Sequence, residues 1–515
     1  MNGAESLVAT LVGQGVDICF ANPGTSEMHF LAALGDNPGM RSVLCLFEGV
    51  ATGAADGWYR MKDTPASTLL HLGPGLANGL ANIHNAKRAS SGMVNIIGEH
   101  SASHLKYDPP LTSDIEGLAR PLSHWVRRAE SASTIAWDTA LAAAKASEHP
   151  GQIATLILPG DTSWQEASAS VLPPPVAPRR KAPDVARVEH VAQVLRSGEP
   201  TLIILANKAT RGKALERAGQ VAAATDARLG SQFFTARIER GAGRVPIERI
   251  PYAVPQAQAF LKGFKHLVTV ETREPVAFFA YPDKPSLLKA EGTLVHPLVE
   301  ADEDSELAFD MLLDMLDAKS ISPLLQPRID TPMPTGALNP TTIAHALAAA
   351  LPEHCILVDE SLTTGRESMG LTTGARPHDL INNMGGSIGY ATPVATGAAL
   401  ACPDRRVFCM VGDGSAMYTI QSLWTQAREN LNVTTIIFAN NSYAILKAEY
   451  TNMGAGTPGE RALSMIDIDK PRIDWLAMAR SMGVPAVAVD SAERFYKAMV
   501  DSTREPGPRL IEVRL

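Results

Sequence analysis

Short runs of β-branched and apolar residues alternate along the chain with Ala- and Leu-rich stretches whose apolar positions recur at helical spacing. That switching between periods of 2 and 3.6 predicts repeated βα units and parallel sheets. Several runs end in small or polar residues: Asp17–Gly24 (DICFANPG), Thr68–Gly75 (TLLHLGPG), Ile356–Ser361 (ILVDES), Val407–Gly414 (VFCMVGDG) and Thr435–Asn441 (TIIFANN). Ligands of open parallel sheets bind outside the carboxyl ends of strands, so the chemistry is expected at these ends. They cluster in the first and last thirds of the chain, and the middle is poorer in them.

Two Pro-rich stretches break the pattern, Val171–Val185 (VLPPPVAPRRKAPDV) and Ile321–Pro340 (ISPLLQPRIDTPMPTGALNP). Both read as linkers. They cut the chain into segments 1–170, 186–320 and 341–515, each of ordinary domain size. The expected fold is α/β, with three doubly wound parallel-sheet domains.

Composition removes several functions without naming one. Among 515 residues, 46 Lys+Arg stand against 54 Asp+Glu, a net charge of −8, so there is no basic excess for a phosphate backbone or an anionic membrane. Neither nucleic acid nor membrane is expected as a partner, and no run of about 18 apolar residues is present. Cys19, Cys45, Cys355, Cys402 and Cys409 form no CxxC pair. Their odd number, with no Lys or Arg from Met1 to Met40, points to a cytoplasmic protein.

Gly412-Asp413-Gly414 follows an apolar strand and precedes a helical stretch, Tyr418–Glu429. A glycine-flanked turn there brings backbone N–H groups near an anion and aims Asp413 at a cation. Asn440 comes 27 residues after Asp413, at the end of the next apolar run. Two adjacent parallel strands could place both oxygens on one ion of the Mg²⁺ kind. Singly, each motif is a common polar turn; together at this spacing they favour the ion.

The chain resembles at this point the thiamine diphosphate enzymes of the 2-oxo acid decarboxylase and acetolactate synthase superfamily, whose signature is GDG, some two dozen residues, then an Asn pair. The likeness extends over nearly the whole chain. It implies thiamine diphosphate and Mg²⁺ as cofactors, with Asp413, Asn440 and the carbonyl of Ser442 on the metal. Gly412, Gly414, Ser415, Ala416 and Tyr443 would line the diphosphate. Met384–Pro393 (MGGSIGYATP) looks like the family's cofactor-bending stretch, in which Ile388 wedges the two rings and the Gly386 carbonyl accepts from the 4′-amino group. Glu360–Thr363 resembles a second diphosphate contact, with Thr363 as the hydroxyl.

In the first segment, Glu48 stands at the junction of an apolar run and the small-residue stretch Glu48–Gly57 (EGVATGAADG). The resemblance makes it the acid that hydrogen-bonds N1′ of the aminopyrimidine. It also implies that this acid and the diphosphate site come from different subunits, so a homodimer at least, and a homotetramer, is expected. The loops Asn22–Glu27 and Gly73–Asn78 match family loops that approach the pyrimidine and substrate, making Asn22, Pro23, Gly24 and Asn78 cofactor contacts, and Asn22-Pro23-Gly24-Thr25 followed by Glu27, together with His71, looks closest to benzoylformate decarboxylase. Thr25 would touch substrate and His71 would shuttle protons. Three departures leave the substrate open. The stretch Pro275–Tyr281 (PVAFFAY) holds no counterpart of that decarboxylase's second histidine. The adjacent His pair of pyruvate decarboxylases is replaced by Pro110-Leu111, and Gly98 is followed by Glu99 where acetolactate synthases have Gln.

The middle segment reads as an adaptor. Asn207–Gly212 lacks a G-x-G-x-x-G fingerprint, so FAD is not expected, while Arg237–Arg244 (RIERGAGR) reads as either a nucleotide contact or solvated surface. The expected activity is non-oxidative decarboxylation of a small 2-oxo acid, with acetolactate synthase-like carboligation as the alternative. A non-catalytic assembly or regulatory protein of the same fold is the rival from another class. The joint presence of Glu48, Ile388, Asp413 and Asn440 argues against that rival.

Overall fold

The computed structural model describes residues 1–168 and 178–515, so much of the first Pro-rich stretch lies outside the described residues. Three sheets follow the chain. The first contains β1 (Ile18–Ala21), β2 (Arg41–Leu44), β3 (Ala66–Leu70), β4 (Met93–Glu99), β5 (Trp125–Arg128) and β6 (Ile153–Pro159), in the order β2-β1-β3-β4-β6-β5. The second contains β7 (Thr201–Leu205), β8 (Arg228–Ser231), β10 (Glu248–Arg249), β11 (His266–Val270) and β12 (Leu294–Val299), in the order β10-β8-β7-β11-β12. The third takes β13 (Cys355–Glu360), β14 (His378–Asn382), β15 (Val407–Gly412), β16 (Val433–Ala439), β17 (Ala486–Val489) and β18 (Arg509–Arg514), and adds β9 (Ile238–Arg240); its order is β17-β18-β16-β15-β13-β14-β9. Every pairing is parallel except β14 with β9. The α/β reading with three parallel sheets holds, with that one strand exchanged. Central strands such as β4 and β16 are buried along their whole length, as sheets covered by helices on both faces require.

The exchanged strand draws the start of the basic stretch Arg237–Arg244 into the third sheet, away from solvent. Ile238–Arg240 pairs antiparallel with β14, and Arg237 Nε donates to Asp379 at 2.6 Å. The arginines serve a buried seam between the middle segment and the third sheet. A second difference concerns the helical stretch expected from Tyr418. The helix begins at Ser422, because Tyr418 and Thr419 close i→i+3 turns on Ser415 and Ala416 while the Thr419 hydroxyl donates to the Gly389 carbonyl at 2.8 Å.

The helices Glu48–Lys62 and Ala391–Ala401 join the outer sheets. All 11 residues of the second are buried, as are Glu48 through Met61 of the first. Helices buried on every side belong in a core, and here one core runs from Ile18 and Phe20 through both helices to Ile356 and Val411. A Cβ on Gly57 would lie 2.1 Å from the Val394 carbonyl oxygen, and one on Gly397 would lie 1.8 Å from that of Ala54. Glycine is required at both crossings for the backbones to touch. The middle sheet packs over a separate core around Ile203, Val268 and Phe309. Its loop Asn207–Thr210 is tied to the first domain by ion pairs from Arg211 and Lys208 to Asp63. Burial pushes the Asp63 carboxyl up, but those two cations hold it well below the usual carboxylate range. Among the described residues no helix is long and apolar enough to cross a membrane.

His378, on β14 beside the exchanged strand, is buried with Nδ1 2.7 Å from the Arg376 carbonyl. Burial, with the charge of Arg240 added, drives its pKa down to about 3. The folded state therefore favours the neutral ring, and this contribution is full above the unfolded value near 6.5 and falls as pH drops from there toward 3. At pH 5 it should cost about 2 kcal/mol of stability. Urea unfolding at pH 7 and 5 should show that loss, and His378→Gln should flatten the slope; an unchanged slope in the variant would remove His378 as its source.

Candidate active site

Seven candidate stretches lie just past the carboxyl ends of neighbouring strands, and Asn78 lies nearly two turns into the helix Leu72–Arg88. In the first sheet the neighbours β2, β1 and β3 lead to Glu48, to Asn22–Glu27 and to His71. In the third sheet β16, β15 and β13 lead to Asn440, Asp413 and the Ser361–Thr363 turn, and β14 leads to the Asn383–Gly389 loop.

Glu48 is the first residue of its helix and is only 6% exposed. Asn78 Nδ2 donates to its Oε2 at 3.0 Å, and a Cβ on Gly75 would approach Oε1 to 3.0 Å. A strand-to-helix turn thus holds the carboxylate between two residues of the next helix, Leu72–Arg88. A second pair lies alongside. His71 Nδ1 is 2.9 Å from Glu27 Oε2, and Glu27, 1% exposed, also accepts from the Gly24 N–H at 2.8 Å. Ser26 Oγ hydrogen-bonds the other oxygen of Glu27. Thr25 is exposed beside this pair, and Asn22 and Pro23 are half-buried. Glu27 as the partner of His71 is new from the structure; its one sequence signal was its place at the end of Asn22–Glu27.

The third-sheet group is built on the β15–β16 pair, which runs in register to Gly412 opposite Phe438. Asp413 is 2% exposed, accepting from the Gly414 N–H at 2.8 Å and from the Asn441 N–H at 2.6 Å. Burial pushes its pKa up against those donors, as expected of a carboxylate set to meet a cation. Asn440 Oδ1 accepts from the Ser442 N–H at 3.0 Å, which folds the chain back so that the amide and the Ser442 backbone share one turn. The Tyr443 ring fills the space where a Cβ of Gly414 would stand, 2.4 Å from Cε1. Ser415 and Ala416 are buried in the short helix Asp413–Ala416. Thr363 is half-buried beyond β13.

A third piece is the Asn383–Gly389 loop. Gly386 has φ +77°, a left-handed backbone that favours glycine, and a Cβ there would lie 2.8 Å from Phe278 Cζ of the middle segment. Ile388 is half-buried in this loop. His84, Asn82 and Asn85 reach the loop from the first domain, with Asn85 Nδ2 donating to the Ser387 carbonyl at 2.9 Å. Behind it, the buried Glu360 carboxylate caps the next helix, accepting from Gly389, Tyr390 and Ala391 N–H groups at 2.9–3.4 Å. Burial pushes its pKa up to about 7 despite those donors. The sequence reading placed this stretch against a diphosphate and missed the capping role.

A divalent ion fits the chemistry of the Asp413 group. The donors are hard oxygens, one carboxylate, one amide and one backbone carbonyl, and an octahedral ion would take its remaining ligands from phosphate and water. Among the described residues no three His, Cys, Asp or Glu side chains gather as a metal site, so this set needs an anionic ligand to complete it. Among the described residues, no hydrogen bond or ion pair of Glu48, His71 or Asn78 reaches the Asp413–Tyr443 group.

Comparison with known proteins matches these two edges separately. The N-terminal TPP binding domain of thiamine pyrophosphate enzymes matches residues 1–123, and the C-terminal TPP binding domain matches residues 365–513. A Mycobacterium tuberculosis protein with the provisional name acetolactate synthase large subunit IlvX is 48% identical over 100% of this chain and 99% of its own length. Benzoylformate decarboxylase of Pseudomonas aeruginosa is 26% identical over 97% of this chain and 96% of its own. Among solved structures, the thiamine diphosphate-dependent 4-hydroxybenzoylformate decarboxylase of Rhodococcus jostii RHA1 superposes with a TM-score of 0.85 at 23% identity, covering 100% of this chain and 99% of that one, a likeness of fold.

Glu360→Ala should leave three buried N–H groups without an acceptor and cost about 1–3 kcal/mol in denaturant unfolding. Glu360→Gln keeps an acceptor and should cost less. Equal losses in both variants would mean that the cap is not what holds this helix.

Proposed function

The chain belongs to the thiamine pyrophosphate enzymes, and from that premise we propose that it removes CO₂ non-oxidatively from a small 2-oxo acid, at a site divided between its first and third domains. It is a thiamine diphosphate-dependent enzyme of the acetolactate synthase and benzoylformate decarboxylase type. The observation that carries the finer reading is the pair Asp413 and Asn440, set side by side past the ends of two neighbouring parallel strands. In this reading Mg²⁺ rests on Asp413, Asn440 and the Ser442 carbonyl, and Gly412, Gly414, Ser415, Ala416, Tyr443 and Thr363 receive the diphosphate. Bound there, thiamine diphosphate would supply the electron sink for the bonding pair left on the substrate carbon when CO₂ departs.

The chain's own residues do the rest. Glu48, steadied by Asn78, holds the proton at the aminopyrimidine nitrogen. The Gly386 carbonyl would accept from the amino group of the aminopyrimidine, and Ile388 would pack against its rings. His71, oriented by buried Glu27, moves a proton at the substrate carbon or oxygen. Thr25 offers a hydroxyl to the substrate carboxylate, and Asn22, Pro23 and Gly24 wall the pyrimidine side. The hydrogen bonds of Glu48 stay within the first domain, which supports a site completed by a second chain, in a homodimer or homotetramer. The domain bounds in this reading are 1–170, 186–320 and 341–515, with Ile238–Arg240 lent to the third. The middle one acts as an adaptor without FAD, since Lys208 and Arg211 of its first loop are spent on Asp63. A cytoplasmic enzyme without nucleic-acid or membrane partners fits the composition.

One observation favours carboligation as the second reading. Release of an aldehyde needs a proton at the former carbonyl carbon, and Phe278, which covers Gly386, has none to give. With His71 left as the one proton donor proposed for this site, capture by a second carbonyl competes better.

Glu48→Gln should lower turnover about 10²–10⁴-fold while calorimetry still detects thiamine diphosphate binding. Co-expressing Glu48→Gln with Asp413→Ala chains should restore part of the activity, because some mixed dimers hold one intact site; no recovery would argue for a site within one chain. Phe278→His should raise the ratio of aldehyde to 2-hydroxy ketone about tenfold with one 2-oxo acid, and an unchanged ratio would clear Phe278 of any part in product choice.

A further inference from the structure

Between the second sheet and the third lies a cleft of about 880 Å³ to which the proposed reaction assigns no role. Its volume falls within the range of about 300–1,000 Å³ usual for small-molecule sites. Three arginines line it. Arg240, on the exchanged strand β9, is buried and donates to the Met369 carbonyl and to the hydroxyls of Thr372 and Thr373, both at 3.1 Å. Arg249, on β10, lies with Cζ 4.2 Å from the centroid of Phe233 and donates to the Arg366 carbonyl at 3.4 Å. Arg366 is exposed, with Cζ 5.4 Å from the centroid of Tyr252.

None of these cations forms an ion pair among the described residues, and the one carboxylate charge that acts on Arg249, from Asp359, does so at longer range. Among the described residues none of the three has a carboxylate within 4.0 Å, whereas most other arginines near the seam, such as Arg228, Arg237 and Arg405, are ion-paired. Of the cleft's own acids, Glu248 pairs with Arg228, while Glu367 accepts from the Thr341 hydroxyl at 2.6 Å and remains one carboxylate that the three guanidinium groups outnumber. Burial and the neighbouring charge of Arg249 push Arg240 down to about 9. Burial also lowers Arg249, with Asp359 opposing and Arg366 adding to the shift. A chain with net charge −8 has here gathered three guanidinium groups that repel one another around open space.

We propose that this cleft binds an oxyanion carried on a planar ring. The in-plane N–H fork of a guanidinium matches a carboxylate or phosphate. Stacked on Phe233 and Tyr252, Arg249 and Arg366 hold their donors at the edge of flat surfaces on which a second ring can lie. The same chemistry is offered by an aryl carboxylate, akin to an aromatic 2-oxo acid, and by a nucleoside monophosphate.

The test uses the enzyme saturated with thiamine diphosphate and Mg²⁺, titrated calorimetrically with benzoate, phenyl phosphate, AMP and inorganic phosphate, none of which can be decarboxylated as a 2-oxo acid. At least one ring-bearing probe should bind about tenfold more tightly than inorganic phosphate, and Arg249→Gln should weaken it about tenfold. Arg366→Gln, at an exposed position that folding does not need, should do the same. A preference for benzoate over AMP assigns the cleft to the aryl carboxylate, and the reverse to the nucleotide. Absence of saturable binding at millimolar concentration overturns the proposal. So does inorganic phosphate binding as tightly as phenyl phosphate, or affinity unchanged in both folded variants.

Discussion

The architecture depends on a contact between two backbones. Where Gly57 meets Val394 and Gly397 meets Ala54, there is no room for even a methyl group, so the helices Glu48–Lys62 and Ala391–Ala401 cross at direct main-chain contact. Buried on all sides, they merge the cores of the first and third sheets into one. Polar groups at this junction must then be satisfied inside it. Arg60 does so by pairing with Asp56 at 2.7 Å and donating to the Asn382 carbonyl at 2.6 Å, so a residue of the first helix also anchors the end of β14. Since β14 leads into the Gly386 loop, the packing of small residues fixes where that loop starts.

The same junction explains how buried charge is managed. Glu360 sits under the N-terminus of the second helix and meets its free N–H groups, and Asp413 meets two more at the end of β15. Neither carboxylate has a cationic side chain as a hydrogen-bond partner among the described residues. Each relies on main-chain donors, whose positions the sheet and helix fix, so the charges are held without depending on flexible side chains. The net charge of −8 is therefore no obstacle to an anionic cofactor, because the fields that matter are set locally.

How much of this was legible in the sequence follows from how local each signal is. Strand ends marked by Asn22-Pro23-Gly24, His71, Gly412-Asp413-Gly414 and Asn440-Asn441 were readable because a strand and the turn after it lie within a dozen residues. The parallel sheets followed from the same alternation. The exchanged strand Ile238–Arg240 was not readable: a three-residue strand gives no periodic signal, and its partner His378–Leu380 is about 140 residues away. Nor was the Glu360 cap, whose acceptors and donors are some 30 residues apart, or the His71–Glu27 pair, set by adjacent strands β1 and β3. Arg237–Arg244 misled because an arginine-rich run reads as surface unless its acidic partners, Asp379 among them, are known to be near.

The middle domain has its own core, yet it touches the rest of the molecule where chemistry is proposed. It lends β9 to the third sheet, ties Lys208 and Arg211 to Asp63 of the first domain, and lays Phe278 over Gly386. The first two contacts fix its position from two sides, so the loop bearing Phe278 approaches Gly386 from a fixed base. Asp413, Asn440 and Glu48 are constrained by strand ends and by the glycine crossing, so Phe278, on a loop of another domain, is the residue near Gly386 that can change without moving them. A change from an imidazole to a phenyl ring at that place alters what can donate a proton without disturbing the sheets beneath. On the proposed reading, the two outer sheets would hold the cofactor, and the loop that the middle domain lays over Gly386 would bear on whether an aldehyde is released or a second carbonyl is captured.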